Sequence, residues 1–384
     1  MRITEVEVIP FTLEREEFEG GGSTTTATTT QTLTRIGTEE GVDGYCLGGG
    51  VHGDRDGLSP TQRKRVEQIV ESRLVGENPF DREKFWRWMW GFNRDETTLS
   101  VIDIALWDLQ GRALDTPVHK LAGGCRERVR AYASTFPNMG SPSDYADHAE
   151  ACQQQGYTAY KIHPYYGWDP KTGRSAPSRP SHVEHDLEAC RRVNERVGDE
   201  MDLLYDPWGT YGSYEEALQV GRELQEMGFA WYEHPMNEYQ VSSYEKLSDE
   251  LDIPILAPEI ADGSIFTRAD WITREAADRV RIDALRGGIT GCLKMAAICE
   301  AYNVRCEIHM SGFANLQVLA ATSADTCTYY ERGLLAPTID YETPPPYLEA
   351  IPDPLDDDGY VHVPQESGIG YELDMEYINA HRTD

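Results

Sequence analysis

The fold of this chain is decided by three apolar segments, MDLLYDP (201–207), FAWYEHP (229–235) and IPILAPE (253–259). Each segment carries a carboxylate where its apolar run finishes, and the acids stand 27 and 26 residues apart. That period holds one strand, one helix and two loops. The spacing therefore predicts repeated strand–helix units with an acid at the end of each strand, and these acids are Asp206, Glu233 and Glu259.

The three acids predict a metal site. The carboxyl ends of consecutive strands in a parallel barrel meet on one face, so acids placed there converge. A ligand set made only of oxygens suits a hard divalent cation, and Mg²⁺ is its usual occupant. The alternative is that each acid only caps the helix that follows it. Because the period repeats, we favour one Mg²⁺ per subunit, bound by Asp206, Glu233 and Glu259.

The alternation of strands and helices extends from about residue 130 to about residue 335. Eight such units, which take roughly 250 residues, are typical of a (β/α)8 barrel, so we predict an α/β barrel or a close variant over residues 129–340. One interval is lengthened by the Pro-, Gly- and Tyr-rich stretch 164–182, a candidate substrate loop. The predicted strand ends are Tyr132, Lys161, Asp206, Glu233, Glu259, Asp283, His309 and Tyr329.

The regions outside the barrel predict a second, α+β domain over residues 1–128. Residues 1–13 alternate as a strand does, and residues 59–115 show helical periodicity. The stretch EGGGSTTTATTT (19–30) is poor in core-forming residues and is expected to be either a mobile lid over the site or a plain linker. The tail, 341–384, is expected to return and pack on this domain.

Composition limits the partners and the compartment. A net charge of −31 and a pI near 4.6 argue against nucleic acid or an anionic membrane as partner. The acids are spread along the whole chain, which is typical of a halophilic protein and predicts loss of structure when salt is removed. Eight cysteines without a CxxC pair, no apolar run of about 20 residues and no secretory leader predict a cytoplasmic protein with reduced thiols.

Five further ionisable residues are predicted on the same face as the acids. Lys161 and His163 stand two apart in TAYKIHP, so both point to one side of a strand. Asp283 in VRIDALRGG and His309 in VRCEIHM end neighbouring strands, and an Asp beside a His orients the imidazole and raises its basicity. Glu331 in TYYERG lies near the end of the eighth strand. These five are the candidate catalytic residues.

Such a set suits removal of a proton next to a carboxylate. A divalent cation on the carboxylate oxygens stabilises the enediolate that forms, and a hydrogen-bond donor adds to this. A base takes the proton, while an acid either helps a β-hydroxyl to leave or returns a proton. The first outcome is dehydration, and the second is racemisation or epimerisation.

Along essentially its whole length the sequence resembles the enolase superfamily, specifically the mandelate racemase branch. The resemblance implies a capping α+β domain, formed by the N-terminal region and the C-terminal tail, over a modified (β/α)8 TIM-type barrel, with the specificity loop at 19–30. It also implies a small-molecule carboxylate substrate and a homo-oligomer, either a dimer or an octamer. The motifs that carry it are IALWDLQGRALDTPVHKLAGG (104–124), YKIH (160–163), the acid trio, DALRGGITG (283–291), EIHMSG (307–312), YYERGLLAPT (329–338) and DDDGYVHVPQESGIGYELD (356–374).

Residue by residue, the resemblance makes the acid trio the Mg²⁺ ligands, Asp283 and His309 a catalytic dyad, and Glu331 a protonated acid that hydrogen-bonds the enediolate. Lys161 falls on the first Lys of the family's KxK motif, whereas the second position is His163. This departure leaves open whether His163 or His309 is the base. A second departure places Trp208 where relatives often have Asn.

Together these features predict a Mg²⁺-dependent dehydratase of aldonic or aldaric acids that gives a 2-keto-3-deoxy product. Loss of the second Lys makes symmetric racemisation the less favoured outcome. The alternative is a racemase, epimerase or lactone cycloisomerase on the same scaffold. A third hypothesis, a metal-holding scaffold protein without catalysis, is disfavoured because the acid and base set is complete.

Overall fold

The computed structural model describes residues 1–49, 56–92, 95–179 and 181–383, with the side chain of Phe92 left out. Its N-terminal part is a three-stranded antiparallel sheet followed by helices. The elements are β1 (Ile3–Gly20), β2 (Ser23–Thr38), β3 (Asp43–Leu47), α1 (Pro60–Arg73), α2 (Arg82–Phe92), α3 (Glu96–Ala113) and α4 (Val118–Leu121). We call this part the cap.

The Gly/Thr stretch at 19–30 forms the end of a long hairpin, so the alternative of a plain linker is wrong, while a lid over the site stays a prediction. Gly20 to Gly22 make the turn with positive φ angles, and the threonines continue into β2. They pair along β1, as Thr28 does with Glu14. Threonine is β-branched and favours extended backbone, so a run of threonines stabilises a strand without packing in a core.

The remainder of the chain forms the barrel and the tail. The barrel elements are β4 (Arg128–Thr135), α5 (Pro142–Gln154), β5 (Ala159–Ile162), β6 (Trp168–Asp169), β7 (Arg174–Ser175), α6 (Val183–Val197), β8 (Asp202–Tyr205), α7 (Tyr214–Glu226), β9 (Trp231–Glu233), α8 (Val241–Glu250), β10 (Ile255–Leu256), α9 (Ile265–Thr273), β11 (Arg279–Ile282), α10 (Ala284–Tyr302), β12 (Arg305–Ile308), α11 (Phe313–Ala321) and β13 (Tyr329–Leu335). The tail carries β14 (Tyr360–His362) and α12 (Met375–Ala380).

Eight described strands form one parallel sheet in the order β12-β11-β10-β9-β8-β5-β4-β13. The two end strands, β12 and β13, contact each other, so the sheet curls into the predicted modified barrel. Two of the predicted strand ends are wrong, since Tyr132 lies inside β4 and Tyr329 begins β13. Both errors arise because β4 has eight residues and β13 seven, whereas the other six strands of this sheet have two to four.

Strand alternation decides which side chains face the barrel interior. One end of the interior is filled by an apolar cluster that includes Tyr132, Leu204 and Trp231. Farther along the same strands the inward positions become charged, as at Lys161 on β5 and Arg281 on β11, which are fully buried. The barrel interior is therefore apolar at one end and charged at the other.

The cap is held on the barrel through α3 and α10. The indole of Trp107 donates to Thr290 Oγ1 at 3.0 Å, and the Thr290 hydroxyl donates to Asp103 at 2.7 Å. Gly288 has a φ of 73°, and a Cβ there would lie 2.4 Å from an Asp103 oxygen. Only glycine fits this close approach, which accounts for the second glycine of the GG pair in the DALRGGITG motif.

The tail contacts both parts of the chain. Its strand β14 pairs antiparallel with β4 of the barrel. On the cap side, Ile369 N–H donates to Asp108 at 2.8 Å and Leu47 N–H donates to Tyr371 Oη at 3.2 Å. The domain boundaries at 128/129 and 340/341 stay a prediction.

The predicted substrate loop, 164–182, contains the short hairpin β6–β7, and its Pro180 lies outside the described residues. All eight cysteines lie in the described part of the chain, and none forms a disulfide there. Among the described helices, none combines the length and apolar character that crossing a bilayer requires. Location in the cytoplasm stays a prediction.

Candidate active site

A cavity of about 1060 Å³ lies between the carboxyl ends of the barrel strands and the cap. The barrel contributes most of the predicted site residues, which are Lys161, His163, Asp206, Glu259, Asp283, His309 and Glu331. The cap contributes Arg15, Thr29, Thr30, Gln62 and Arg63. The structure therefore brings seven of the eight predicted site residues to one cavity, and the eighth, Glu233, lies beneath them.

Two of the predicted metal ligands meet a histidine. One donor atom each from Asp206, His234 and Glu259 lie within 4.8 Å of one another, and all three residues are buried. We call these residues the acid–histidine cluster. Two carboxylates and one imidazole, close together and shielded from water, suit a divalent cation.

Glu233 does not belong to this cluster. Its Oε1 accepts a hydrogen bond from Arg281, and its Oε2 lies 3.2 Å from Lys161 Nζ and 3.4 Å from Trp231 Nε1. The carboxylate is fully buried among these groups. Its assignment as a metal ligand stays a prediction, while the structure gives it two cationic partners.

Lys161 is the centre of a buried ionic network. Its Nζ lies 2.7 Å from Glu331 Oε1, 3.2 Å from Glu233 Oε2 and 3.6 Å from Asp206 Oδ2. Burial lowers the pKa of Lys161, but the charges of Glu233 and Glu331 outweigh it and hold that pKa well above its usual value. The carboxylates around Lys161 therefore favour its ammonium form.

Glu331 is predicted as a protonated acid, and its surroundings in the structure argue against that state. It accepts hydrogen bonds from Ser134 Oγ at 2.7 Å, from Met310 N–H at 2.8 Å and from Arg281 Nη2 at 2.8 Å. Burial raises the pKa of Glu331, but Lys161, Arg281 and His309 outweigh it and hold that pKa well below its usual range. Donors and cations surround both oxygens, an arrangement that favours the carboxylate form, and the role of Glu331 as a protonated acid stays a prediction.

His163 is oriented by a backbone carbonyl. Its Nδ1 lies 2.6 Å from Thr135 O, and since a carbonyl only accepts, Nδ1 carries the proton. Nε2 then points toward Asp206 Oδ2, 3.3 Å away. The ring packs on Trp208 with centroids 4.9 Å apart. Trp208 also lines the cavity, so the departure in the DPW motif narrows the space beside His163.

His309 is held between two carboxylates. Its Nδ1 lies 2.9 Å from Asp283 Oδ2, and its Nε2 lies 3.1 Å from Glu259 Oε1. Burial lowers the pKa of His309, but hydrogen bonds to Asp283 and Glu259 outweigh it and raise that pKa to about 10. The other oxygen of Asp283 caps α10 by accepting from Leu285 N–H at 2.7 Å. The helix cap thereby fixes the dyad.

The family is decided by the match of two sequence patterns. The pattern described as "Enolase C-terminal domain-like" matches residues 144–377. The N-terminal domain pattern of mandelate racemase and muconate lactonizing enzyme matches residues 20–123. The chain belongs to the enolase superfamily. Within it, the two matched patterns place the chain in the mandelate racemase and muconate lactonizing enzyme family, as predicted.

Individual members of the superfamily are similar over most of the chain. D-galactarolactone cycloisomerase of Agrobacterium fabrum is 28% identical over 337 residues, which cover 83% of this chain and 84% of that protein. Arabinonate dehydratase of Saccharolobus solfataricus is 27% identical over 334 residues, which cover 83% and 82%. The crystal structure of D-glucarate dehydratase from Agrobacterium tumefaciens, complexed with magnesium, superposes with a TM-score of 0.88 and 36% identity, covering 100% of both chains.

Two residues of this enolase-superfamily site were missed by sequence reasoning. Arg281 stands two before Asp283, so strand alternation places both side chains on the inner face, and that signal was available. His234 follows Glu233 directly, and alternation would turn it outward. It faces the cluster because its φ is 37°, which takes the chain out of the extended conformation.

Proposed function

We propose that this chain is a metal-dependent hydro-lyase that dehydrates an acid sugar to a 2-keto-3-deoxy acid. The observation that carries the proposal is the placement of two histidines around the acid–histidine cluster. In sheet order, His163 follows β5 and His309 follows β12, and between these two strands lie β8 and β10, which Asp206 and Glu259 follow in the chain. Each imidazole lies close to one of these acids, at 3.3 Å and 3.1 Å.

The donor set of the cluster fits the divalent cation that the family implies, because the acids are buried and their donor atoms converge. Asp206 and Glu259 would hold Mg²⁺ together with a residue at the end of β9, predicted from the sequence to be Glu233. A bound cation would neutralise charge that develops on the substrate carboxylate. The crystal structure of D-glucarate dehydratase, which is complexed with magnesium, supports this part of the proposal.

In this mechanism His163 takes the proton from C2. Its Nδ1–H is held by the Thr135 carbonyl, so Nε2, which lies 3.3 Å from Asp206 Oδ2, has the lone pair that accepts the proton. His309 protonates the leaving C3 hydroxyl, because the Asp283 carboxylate stabilises a charged imidazolium better than a carbonyl does. Lys161 and Arg281 keep Glu331 ionised, so Glu331 positions Lys161 and does not act as the acid.

The cap supplies polar groups suited to a polyhydroxy substrate. Thr29 Oγ1 and Arg63 Nε are buried and, among the described residues, have no hydrogen-bond partner, and both side chains line the cavity. A buried donor without a partner is costly unless a ligand satisfies it. These two groups are the ones we expect to bind the hydroxyls or the distal end of the acid sugar.

The first test is a screen of the purified chain, with Mg²⁺ and in high salt, against a library of aldonic and aldaric acids. Formation of a semicarbazide-reactive keto acid supports dehydration and names the substrate. No keto acid across the library, together with C2 proton exchange in D₂O, would favour the alternative of epimerisation or cycloisomerisation. The similarity to D-galactarolactone cycloisomerase is the reason for testing that alternative.

The second test separates the two histidines. We expect His309→Asn to exchange the C2 proton of the substrate for deuterium while losing keto-acid formation, because the base is intact and the acid is gone. His163→Asn should lose both. If His163→Asn exchanges the C2 proton and His309→Asn does not, His309 is the base and His163 is the acid. The oligomeric state, dimer or octamer, stays a prediction that light scattering can decide.

A further inference from the structure

We infer that the substrate of this chain is an aldaric acid, which carries a carboxylate at each end, and that the guanidinium of Arg63 in the cap binds the distal carboxylate. The inference rests on the proposed function, because it chooses between the aldonic and aldaric acids that this function allows. An aldonic acid of the same length ends in a CH₂OH group. The choice therefore depends on what the cap side of the cavity offers to the far end of the substrate.

The first argument is the pairing of the cations in the cavity. The lysine and arginine side chains in its described lining are Arg15, Arg63, Lys161 and Arg286. Three of these side chains lie 2.7–3.5 Å from a carboxylate, which is Asp56 for Arg15, Glu96 for Arg286 and Glu331 for Lys161. Arg63 forms no ion pair with any residue that the structure describes. Because the chain has a net charge of −31, carboxylates are abundant, and a guanidinium left without one at the cavity is available to an anionic ligand.

The second argument is the fixed position of Arg63 at the start of α1. Ser59 Oγ accepts a hydrogen bond from Gln62 N–H at 3.4 Å, and Gln62 Oε1 accepts one from Ser59 N–H at 2.9 Å, which makes a capping box. Arg63 N–H donates to Ser59 O at 2.9 Å, so the box also fixes the backbone of Arg63. A cation whose backbone is already ordered loses less conformational entropy when it binds a ligand.

The third argument is the chemistry of the donors that the cap presents. Arg63 Nε is a buried atom without a hydrogen-bond partner in the described part of the chain, and the same holds for Thr29 Oγ1. Both residues line the cavity. A guanidinium offers parallel N–H groups that match the two oxygens of a carboxylate. The single, neutral oxygen of a CH₂OH group accepts fewer of these hydrogen bonds and leaves the positive charge of Arg63 without compensation.

The first experiment compares kcat/KM for aldaric acids and for aldonic acids of the same length and stereochemistry. We expect the aldaric acid to be favoured at least about 10-fold, since hydrogen bonds to a charged group are the strong ones. In Arg63→Met the preference should disappear because the aldaric acid alone loses rate. Arg63→Lys should keep part of the preference, because it retains the charge and loses the fork. The matched control is Lys64→Met, which removes the same charge from an exposed neighbouring position and should leave the preference unchanged.

The second experiment measures binding without the proposed reaction. The ligands 2-hydroxyadipate and 2,6-dihydroxyhexanoate differ only in the far end, which is a carboxylate in the first and CH₂OH in the second. Neither has a C3 hydroxyl to lose, so neither can be dehydrated. In isothermal titration of the full chain with Mg²⁺ present, we expect 2-hydroxyadipate to bind at least about 10-fold more tightly. The two ligands should bind equally to Arg63→Met.

No difference between the two ligands on the unaltered chain, including no binding of either, would overturn the inference. A preference for the dicarboxylate that survives in Arg63→Met would do the same. If circular dichroism shows that Arg63→Met does not fold, the comparison of the two ligands on the unaltered chain and on Arg63→Lys decides.

The two experiments also separate this inference from the proposed function. A chain that dehydrates no acid sugar but binds 2-hydroxyadipate through Arg63 would contradict the proposed reaction and leave the distal carboxylate site standing. A chain that dehydrates aldonic acids in preference to aldaric acids would keep the reaction and overturn the inference.

Discussion

Asp283 Oδ2 lies 2.9 Å from His309 Nδ1, while Asp283 Oδ1 accepts the N–H of Leu285 at the start of α10. One carboxylate thus orients an imidazole and caps a helix. Because the two tasks use different oxygens, a substitution can remove one task and keep the other.

Asp283→Asn is expected to keep the cap and lose the dyad. Asparagine caps helices about as well as aspartate, but it cannot stabilise a charged imidazolium, so kcat should fall about 10²- to 10⁴-fold. Steady-state kinetics of keto-acid formation, with metal affinity measured alongside, checks this. An unchanged kcat in a variant that still binds metal would remove Asp283 from the mechanism.

Lys161→Met is expected to destabilise the fold as well as to end activity. The ammonium is fully buried between Glu331 and Glu233, and removing it leaves two buried carboxylates with Arg281 as their remaining cationic partner. Breaking a buried ion pair in this way costs about 3–5 kcal/mol in free energy of unfolding. Urea titration monitored by circular dichroism measures it.

The matched control for this prediction is the double variant Lys161→Met with Glu331→Gln, which removes one of the stranded charges. It should recover part of the lost stability. The single variant Glu331→Gln completes the cycle. If the losses of unfolding free energy in the two single variants add up to the loss in the double variant, Lys161 and Glu331 are not coupled.

Gly209→Ala is expected to displace the ring of His234 in the acid–histidine cluster and so to weaken metal binding. The added methyl would meet His234 Nε2 at 2.6 Å, in a backbone conformation that L-residues rarely adopt. The control is Gly212→Ala, whose Cβ would meet nothing closer than Glu216 Oε2 at 3.8 Å. Mn²⁺ titration should show loss of affinity in the first variant only. Equal affinities in the two would show that the ring has room to move.

The buried His148 predicts an acid-sensitive fold. Burial lowers its pKa from 6.5 to about 4, and its Nδ1 contacts Tyr160 Oη at 2.8 Å. The unfolded chain therefore binds a proton at a higher pH than the folded chain does. The stability that depends on neutral His148 is present above pH 6.5 and is lost as pH falls toward about 4.

The measurement compares the unaltered chain with His148→Gln, which keeps a hydrogen-bonding side chain but does not titrate. Between these pH values the unaltered chain should lose up to about 3 kcal/mol of unfolding free energy relative to the variant. Parallel curves across that range would mean that His148 keeps its proton in the fold.

Salt is expected to stabilise the chain. A net charge of −31 produces self-repulsion in the compact state, and raising KCl from about 0.1 M to about 1 M shortens the screening length from about 10 Å to about 3 Å. The thermal unfolding midpoint should rise across this range, and structure should be lost in dilute buffer. Full stability without added salt would count against the halophilic interpretation, which stays a prediction.

Much of this architecture was accessible without coordinates because it is periodic and local. The spacing of Asp206, Glu233 and Glu259 predicted the strand–helix unit, and strand alternation put Lys161 and His163 on one face. The same reasoning places Arg281 inward beside Asp283. It did not find the first part of β2, residues 23–32, because the threonines there are stabilised by pairing with β1 and not by a buried face.

The sequence by itself determined the barrel, the capping domain and the group of acids and histidines that meets at the cavity, since each follows from the period of a strand or helix. Tertiary structure alone decided which groups touch. Lys161 and Arg281 meet Glu233 and Glu331 only after the sheet curls. Those contacts favour an ionised Glu331 and turn both oxygens of Glu233 toward cations. A charge state depends on neighbours brought from distant parts of the chain, and so does the turn of backbone that places His234 beside Glu259.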